Sequence, residues 1–153
     1  MRVSEIMTEA AVVDSPDDSL AQAARKMWEQ QTGSLLVMDG GELVGIVTER
    51  DVLKAVATGV DLSTSVSDTM TKAVITVGPG TSLREAAATM AERWIRHLPV
   101  VDGGNVVGVL SQRDLAGVLA DALNEPETLQ RVVEASGLVR ERRLQRIEHW
   151  HWD

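Results

Sequence analysis

Shifted by 63 positions and without a gap, the chain reads onto itself. Val3-Ser4-Glu5-Ile6-Met7-Thr8 falls on Val66-Ser67-Asp68-Thr69-Met70-Thr71, Asp39-Gly40-Gly41 on Asp102-Gly103-Gly104, and Arg50-Asp51 on Arg113-Asp114. Of the 49 positions from Val3 to Asp51, 21 are identical to their partners. An internal duplication constrains the fold before any element is assigned, because each copy must be one supersecondary unit. A unit this small buries little apolar surface alone, so the two copies are expected to pack face to face around a pseudo-two-fold axis.

Each copy reads as β-α-β-β-α, which makes the chain an α/β (α+β) protein. A short strand is expected at residues 11–13 and again at 74–77, followed by loops marked by Pro16 and Pro79. Ser19 or Thr81 lies near the next helix start, and Leu20, Ala23, Ala24 and Met27 recur at helical spacing. The apolar runs 35–38 and 98–101 read as buried strands. Asp-Gly-Gly then signals a tight turn, since Gly accepts the positive φ that hairpins require. The returning strand of the first copy, 43–47, ends at Thr48, where a helix begins and runs to about residue 57. The reading divides the chain into a first motif at 3–58, a linker at 59–65, a second motif at 66–120 and a C-terminal helical extension at 121–153.

Composition narrows the function classes. The 153 residues include no Phe, Tyr or Cys, so the core falls to Val, Leu, Ala, Met and Ile. Without Cys, disulfides, thiolate metal sites and a Cys nucleophile are excluded. The formal charge of −8 argues against a nucleic-acid surface, which needs Lys and Arg to neutralise phosphates. The start lacks an apolar signal core and no 18 apolar residues run together, so neither a membrane partner nor a targeting segment is expected, and the location is read as cytoplasmic.

The most informative short pattern is Gly45-Ile46-Val47-Thr48-Glu49-Arg50-Asp51, with its twin Gly108-Val109-Leu110-Ser111-Gln112-Arg113-Asp114. A buried strand ends at a hydroxyl residue, with a carboxylate three residues on. One reading is purely structural: the pair forms a capping box that satisfies the free N–H groups of a helix start. The other is functional. A helix N-terminus favours phosphate, the hydroxyl donates to a phosphate oxygen, and the carboxylate accepts from both ribose hydroxyls. Arg50 and Arg113 offer counter-charge, or are ordinary exposed helix residues.

A duplicated unit in which each copy ends Gly-apolar-apolar-Thr/Ser-x-x-Asp resembles the cystathionine-β-synthase (CBS) motif pair, often called a Bateman module. Met7-Thr8 and Met70-Thr71 resemble the same family, as does His97-Leu98-Pro99-Val100-Val101-Asp102 before the turn. The resemblance spans about residues 3–118. It implies clefts between the motifs that accept AMP, ADP, ATP, S-adenosylmethionine or a related adenosine compound as a regulatory ligand, with no obligatory cofactor. Asp51 and Asp114 would hold ribose, and Thr48 and Ser111 would meet phosphate. The backbone around Ala11, Val12, Val13, Val74 and Ile75 would line the base pocket, with His97 and Pro99 beside the cleft. The family also implies a homodimer. The first copy has Gly33-Ser34-Leu35-Leu36-Val37 where the second has Arg96-His97-Leu98-Pro99-Val100, so the two clefts are not expected to be equivalent.

His97 is read either as a phosphate contact or as a partly buried polar side chain at a helix–strand turn. Trp28 and Trp94, late in the first helix of each copy, read as packing residues before they read as base-stacking ones. His149, His151 and Asp153 do not make a metal site, because residues two apart on a helix do not share a face. From Asn124 the tail carries Leu129, Val132 and Val133, then Leu144 and Ile147 among Arg140, Arg142, Arg143 and Arg146. It reads as an amphipathic helical pair that packs on its own module or mate, or as an element that engages an effector protein. No nucleophile–base pair, metal triad or Walker-type loop is found, so the chain is read as a non-enzymatic sensor. The competing reading is a ligand-free interaction module in which Thr48 and Ser111 are only caps.

Overall fold

The computed structural model describes residues 1–124 except Ala10, together with Pro126, Glu127 and Gln130. The chain divides into two compact units, Met1–Asp114 and Leu115–Asp153. The first contains the whole first copy and the second copy up to the head of its last helix. In the second, the described backbone is helical to Ala122 and again at Pro126 and Glu127. The expected stripe residues of the tail, Leu129, Val132, Val133, Leu144 and Ile147, fall outside the described residues.

The first copy contains β1 (Val13–Asp14), α1 (Leu20–Glu29), β2 (Ser34–Asp39), β3 (Glu42–Thr48) and α2 (Glu49–Ala57). The second contains α3 (Leu83–Arg93), β4 (His97–Asp102), β5 (Asn105–Ser111) and α4 (Gln112–Ala122). A single 3-10 turn opens each copy, at Val3–Glu5 and Val66–Asp68. Both hairpins are antiparallel and carry a register irregularity at equivalent points, Val37/Met38 and Val100/Val101. Their turns have positive φ at Gly40, Gly41, Gly103 and Gly104, as the Gly-Gly pairs require. Ser19 caps α1 by accepting from the Gln22 N–H at 3.1 Å, and Gln22 Oε1 accepts from the Ser19 N–H at 2.8 Å. In the second copy the capping residue is Ser82, bonded reciprocally with Glu85, one position after the Thr81 expected from the sequence.

The leading strand differs between copies. β1 lies slightly later than residues 11–13, pairs in parallel with β2, and is preceded by a bond from the Leu36 N–H to the Val12 carbonyl at 3.1 Å. The strand expected at 74–77 does not form; only Val77 bridges, in parallel, to Val100. The cause is chemical. Pro99 stands where the first copy has Leu36, and without an N–H it cannot make the bond that would draw Ile75 into the ladder. The sheets are therefore three-stranded (β1-β2-β3) and two-stranded (β4-β5).

The two copies exchange their opening segments. Val3 and Ser4 of the first copy donate to the carbonyls of Thr81 and Pro79, and Thr8 exchanges both backbone bonds with Val109 at 2.9 Å. The second copy returns every bond at the shifted positions: Val66 to Asp18, Ser67 to Pro16, and Thr71 reciprocally with Ile46 at 3.0 Å. Val66 is fully buried in the first copy's core with Ala23, Met27, Leu35, Val37 and Val47, and Met70 packs against it. Val3 is equally buried. The exchange explains the glycine of each Gly-apolar-apolar pattern. A Cβ on Gly108 would lie 2.7 Å from the Thr8 carbonyl oxygen, and one on Gly45 would overlap the Met70 side chain.

One buried charge is present in the first copy alone. The Asp14 side chain is fully buried; Lys26 Nζ donates to its Oδ1 at 2.8 Å, and Oδ2 accepts from no donor among the described residues. Burial, and then the neighbouring Asp18 carboxyl, push this group above its ordinary value against the pull of Lys26. The second copy has Val77 at the equivalent position.

Two predictions follow from these contacts. Gly108→Ala must displace a hydrogen-bonded backbone and should lower the unfolding free energy in urea by about 1–3 kcal/mol. Gly45→Ala meets only a flexible methionine and should cost less; equal costs would contradict the geometry. Asp14→Val should be neutral or stabilising at pH 7, because it removes a buried carboxylate whose partner Lys26 reaches water. A carboxyl with a raised pKa contributes its cost above that pKa, so the variant's advantage should shrink as pH falls toward the ordinary carboxylate range. A clear loss of stability in Asp14→Val would contradict this account.

Candidate functional site

The exchange brings the head of each copy's last helix to the leading extended segment of the other copy, residues 11–12 or 74–75. Two clefts result, related by the same shift of 63. The larger, about 750 Å³, is lined by Ala11 and Val12 of the first copy and by Ser111, Arg113 and Asp114 of the second. The smaller, about 160 Å³, is lined by Val74 and Ile75 of the second copy and by Thr48, Arg50 and Asp51 of the first. His97 lines both. Eleven of the thirteen residues singled out in the sequence thus line a cleft. Val13 and Pro99 do not: Pro99 is fully buried inside β4, and Val13 is about half exposed, with its carbonyl accepting from Lys26.

At the head of α2, Asp51 Oδ2 accepts from the Thr48 N–H at 2.8 Å and from its hydroxyl at 3.1 Å. At the head of α4, Asp114 Oδ2 accepts from the Ser111 N–H at 2.7 Å and from its hydroxyl at 2.8 Å, and the Asp114 N–H donates back to Ser111 Oγ at 3.3 Å. The capping reading is therefore realised in both copies. All four of these residues are nonetheless half-buried on a cleft wall, and the bonds engage one oxygen of each carboxylate. The cap orients the carboxylate and leaves it able to accept from a ligand.

The clefts differ in size because their floors differ. The larger has Gln31, Thr32, Gly33 and Ser34 where the smaller has Trp94, Ile95, Arg96 and His97. Gln31 and Trp94 hold the same left-handed backbone, with φ of 54° and 55°, so the chain path is conserved and only the side chains fill the second cleft. Arg50 Nη1 donates to the Trp94 carbonyl at 3.1 Å. Trp28, 78% exposed, stands at the rim of the larger cleft. Arg96 and Trp94 were not anticipated as site residues from sequence; the signal that marks them is their mismatch with Gly33 and Gln31 at the shifted positions.

Burial, followed by the neighbouring Arg96, holds the His97 imidazole below its ordinary value of 6.5, while Glu49 and Asp114 act in the opposite sense. His97 is thus favoured as the neutral ring.

Half-buried hydroxyl–carboxylate pairs at helix heads, each facing the leading segment of the other copy, define a paired-motif module. The chain belongs to the CBS domain family, whose model matches residues 3–58 and again 66–121. It is 36% identical to the CBS domain-containing protein YhcV of Bacillus subtilis over 115 residues, covering 74% of this chain and 82% of that protein. Among solved structures it is similar to a putative signal-transduction protein with CBS domains from Burkholderia ambifaria, with 37% identity and a TM-score of 0.75 over 79% of this chain and 96% of that one. It is also similar to the CBS domain pair of protein MJ0100, solved in complex with 5′-methylthioadenosine and S-adenosyl-L-methionine, with 27% identity and a TM-score of 0.75 over 80% and 98% of the two chains. Among the described residues no helix is long and apolar enough to cross a membrane.

A histidine with a depressed pKa is neutral in both states above its unfolded value, and the fold loses stability as pH falls from that value through the lower folded one. Between pH 7.5 and 5.5 the wild type should therefore lose more unfolding free energy than His97→Ser, which carries the residue of the first copy. Parallel stability profiles would contradict the burial of a neutral ring.

Proposed function

We propose that this CBS pair is a regulatory, non-catalytic module that binds an adenosine compound, AMP, ADP, ATP or S-adenosylmethionine, in a cleft between its motifs. The observation that supports this reading most strongly is the half-buried Ser111–Asp114 pair facing Ala11 and Val12 across a cleft of about 750 Å³, inside the roughly 300–1,000 Å³ typical of small-molecule sites. In this reading Asp114 accepts from the ribose hydroxyls, Ser111 and the head of α4 meet the phosphate or its equivalent, and the backbone of Ala11 and Val12 borders the base. Thr48, Asp51, Val74 and Ile75 make the corresponding set in the smaller cleft, with Arg50 and Arg113 as counter-charges. The similarity to the MJ0100 pair, which holds two adenosine compounds, supports the ligand class.

The signal would be a change in the relative angle of the two motifs, driven by unequal affinity of the ligand for two arrangements. In this reading the module is a cytoplasmic homodimer that passes this change to an effector protein, and exposed Leu53 and Val56 on α2 are apolar surface that a second copy would cover. The mutual hydroxyl–carboxylate bonds favour the second reading, a ligand-free assembly module whose Thr48 and Ser111 only cap helices.

Thermal shift and isothermal titration separate the two. A cognate ligand at 100 times its dissociation constant should stabilise the chain by about 2.7 kcal/mol, and the double variant Asp51→Ala, Asp114→Ala should lose that stabilisation. Silence from every adenosine compound would leave the assembly reading, and full binding by the double variant would refute the site assignment.

A further inference from the structure

The two clefts share a wall. Of the described residues that line them, only Arg96 and His97 line both, and their counterparts Gly33 and Ser34 line the larger cleft alone. A Cβ on Gly33 would lie 3.2 Å from His97 Cε1 and Nε2, so the ring of the second copy lies over the backbone of the first. Arg96 is anchored at the head of α4, where its carbonyl accepts from the Gln112 N–H at 2.9 Å. Its guanidinium meanwhile extends to the head of α2, with Nη2 at 3.9 Å from Glu49 Oε2. Where exact symmetry would supply two such pairs of side chains, this chain has one.

We infer that the chain binds one adenosine nucleotide, in the larger cleft, with Arg96 as the counter-charge for its phosphate and His97 as the plug that keeps the smaller cleft shut. The inference rests on the adenosine reading above and adds stoichiometry, location and two residue roles to it. Three features carry it. A cleft of about 160 Å³ is below the roughly 300 Å³ at which small-molecule sites begin, whereas about 750 Å³ is well within their range. The Arg96–Glu49 pair is long and its side chains are 44% and 62% exposed, so an incoming phosphate displaces Glu49 at little cost. A guanidinium forms short, charge-assisted bonds with a phosphate that the neutral nucleoside cannot offer, and once so engaged in the larger cleft Arg96 is withdrawn from the smaller one.

Isothermal titration of the full chain with AMP and with adenosine tests this. The wild type should bind one AMP per chain, and Asp114→Ala should weaken it more than Asp51→Ala does. Arg96→Ala should weaken AMP about tenfold or more, the effect of a lost hydrogen bond to a charged group, while shifting adenosine by less than about twofold. His97→Ser, which reproduces the floor of the larger cleft, should add a second and weaker site. Two AMP per chain in the wild type, equal losses for AMP and adenosine in Arg96→Ala, a greater loss in Asp51→Ala than in Asp114→Ala, or no second site in a folded His97→Ser would overturn the inference while leaving the adenosine reading intact. Absence of binding by both AMP and adenosine to the folded wild type would overturn the two together.

Discussion

The reciprocal docking of two opening segments is the constraint on which the rest of the first unit depends. Val3 and Val66 each leave their own copy and complete the other, and Thr8 and Thr71 each pair with a strand of the opposite copy. Neither copy is complete alone. The exchange also sets the separation of the copies, because Gly45 and Gly108 permit a close approach that a side chain would block. From that approach comes the geometry in which the head of one copy's helix faces the strand end of the other. The two clefts are thus a product of packing between repeats rather than of either repeat.

Duplication alone would yield two equal clefts, and the chain departs from equality at a few positions with definite physical consequences. Pro99 removes one backbone donor and with it a strand. Trp94, Ile95, Arg96 and His97 fill a floor that Gln31, Thr32, Gly33 and Ser34 leave open. Asp14 places a buried charge where Val77 is apolar. The turn into β2 and into β4 is left-handed at equivalent residues, 31 and 94, so side-chain volume and one missing N–H account for the asymmetry.

Much of this was legible in the sequence, because the signals are local. The Gly-Gly turns, the apolar runs of β2 and β4, and the hydroxyl-to-carboxylate helix starts are each written within a few residues. Reading the repeat also placed Thr48, Asp51, Ser111 and Asp114 as a set. The exchange was not legible, because an apolar Val3 or Val66 fits either core and no short pattern says which one it enters. The strand at 74–77 failed for a related reason: its apolar residues favour a ladder, but the donor it needs belongs to residue 99, in another element. Arg96 escaped notice because its importance lies in facing two clefts at once, a property of the pseudo-two-fold axis and not of its neighbours in the chain.

The central claim is that the hydroxyl–carboxylate head of α4 and the strand end at Ala11 and Val12 form one nucleotide site. The most direct measurement is backbone amide NMR of the full chain titrated with AMP. The account predicts that the largest shifts cluster at residues 11 and 12 and at 111–114, moving together with a single binding curve. Shifts confined to the exposed face of α2, or separate curves for those two segments, would contradict it.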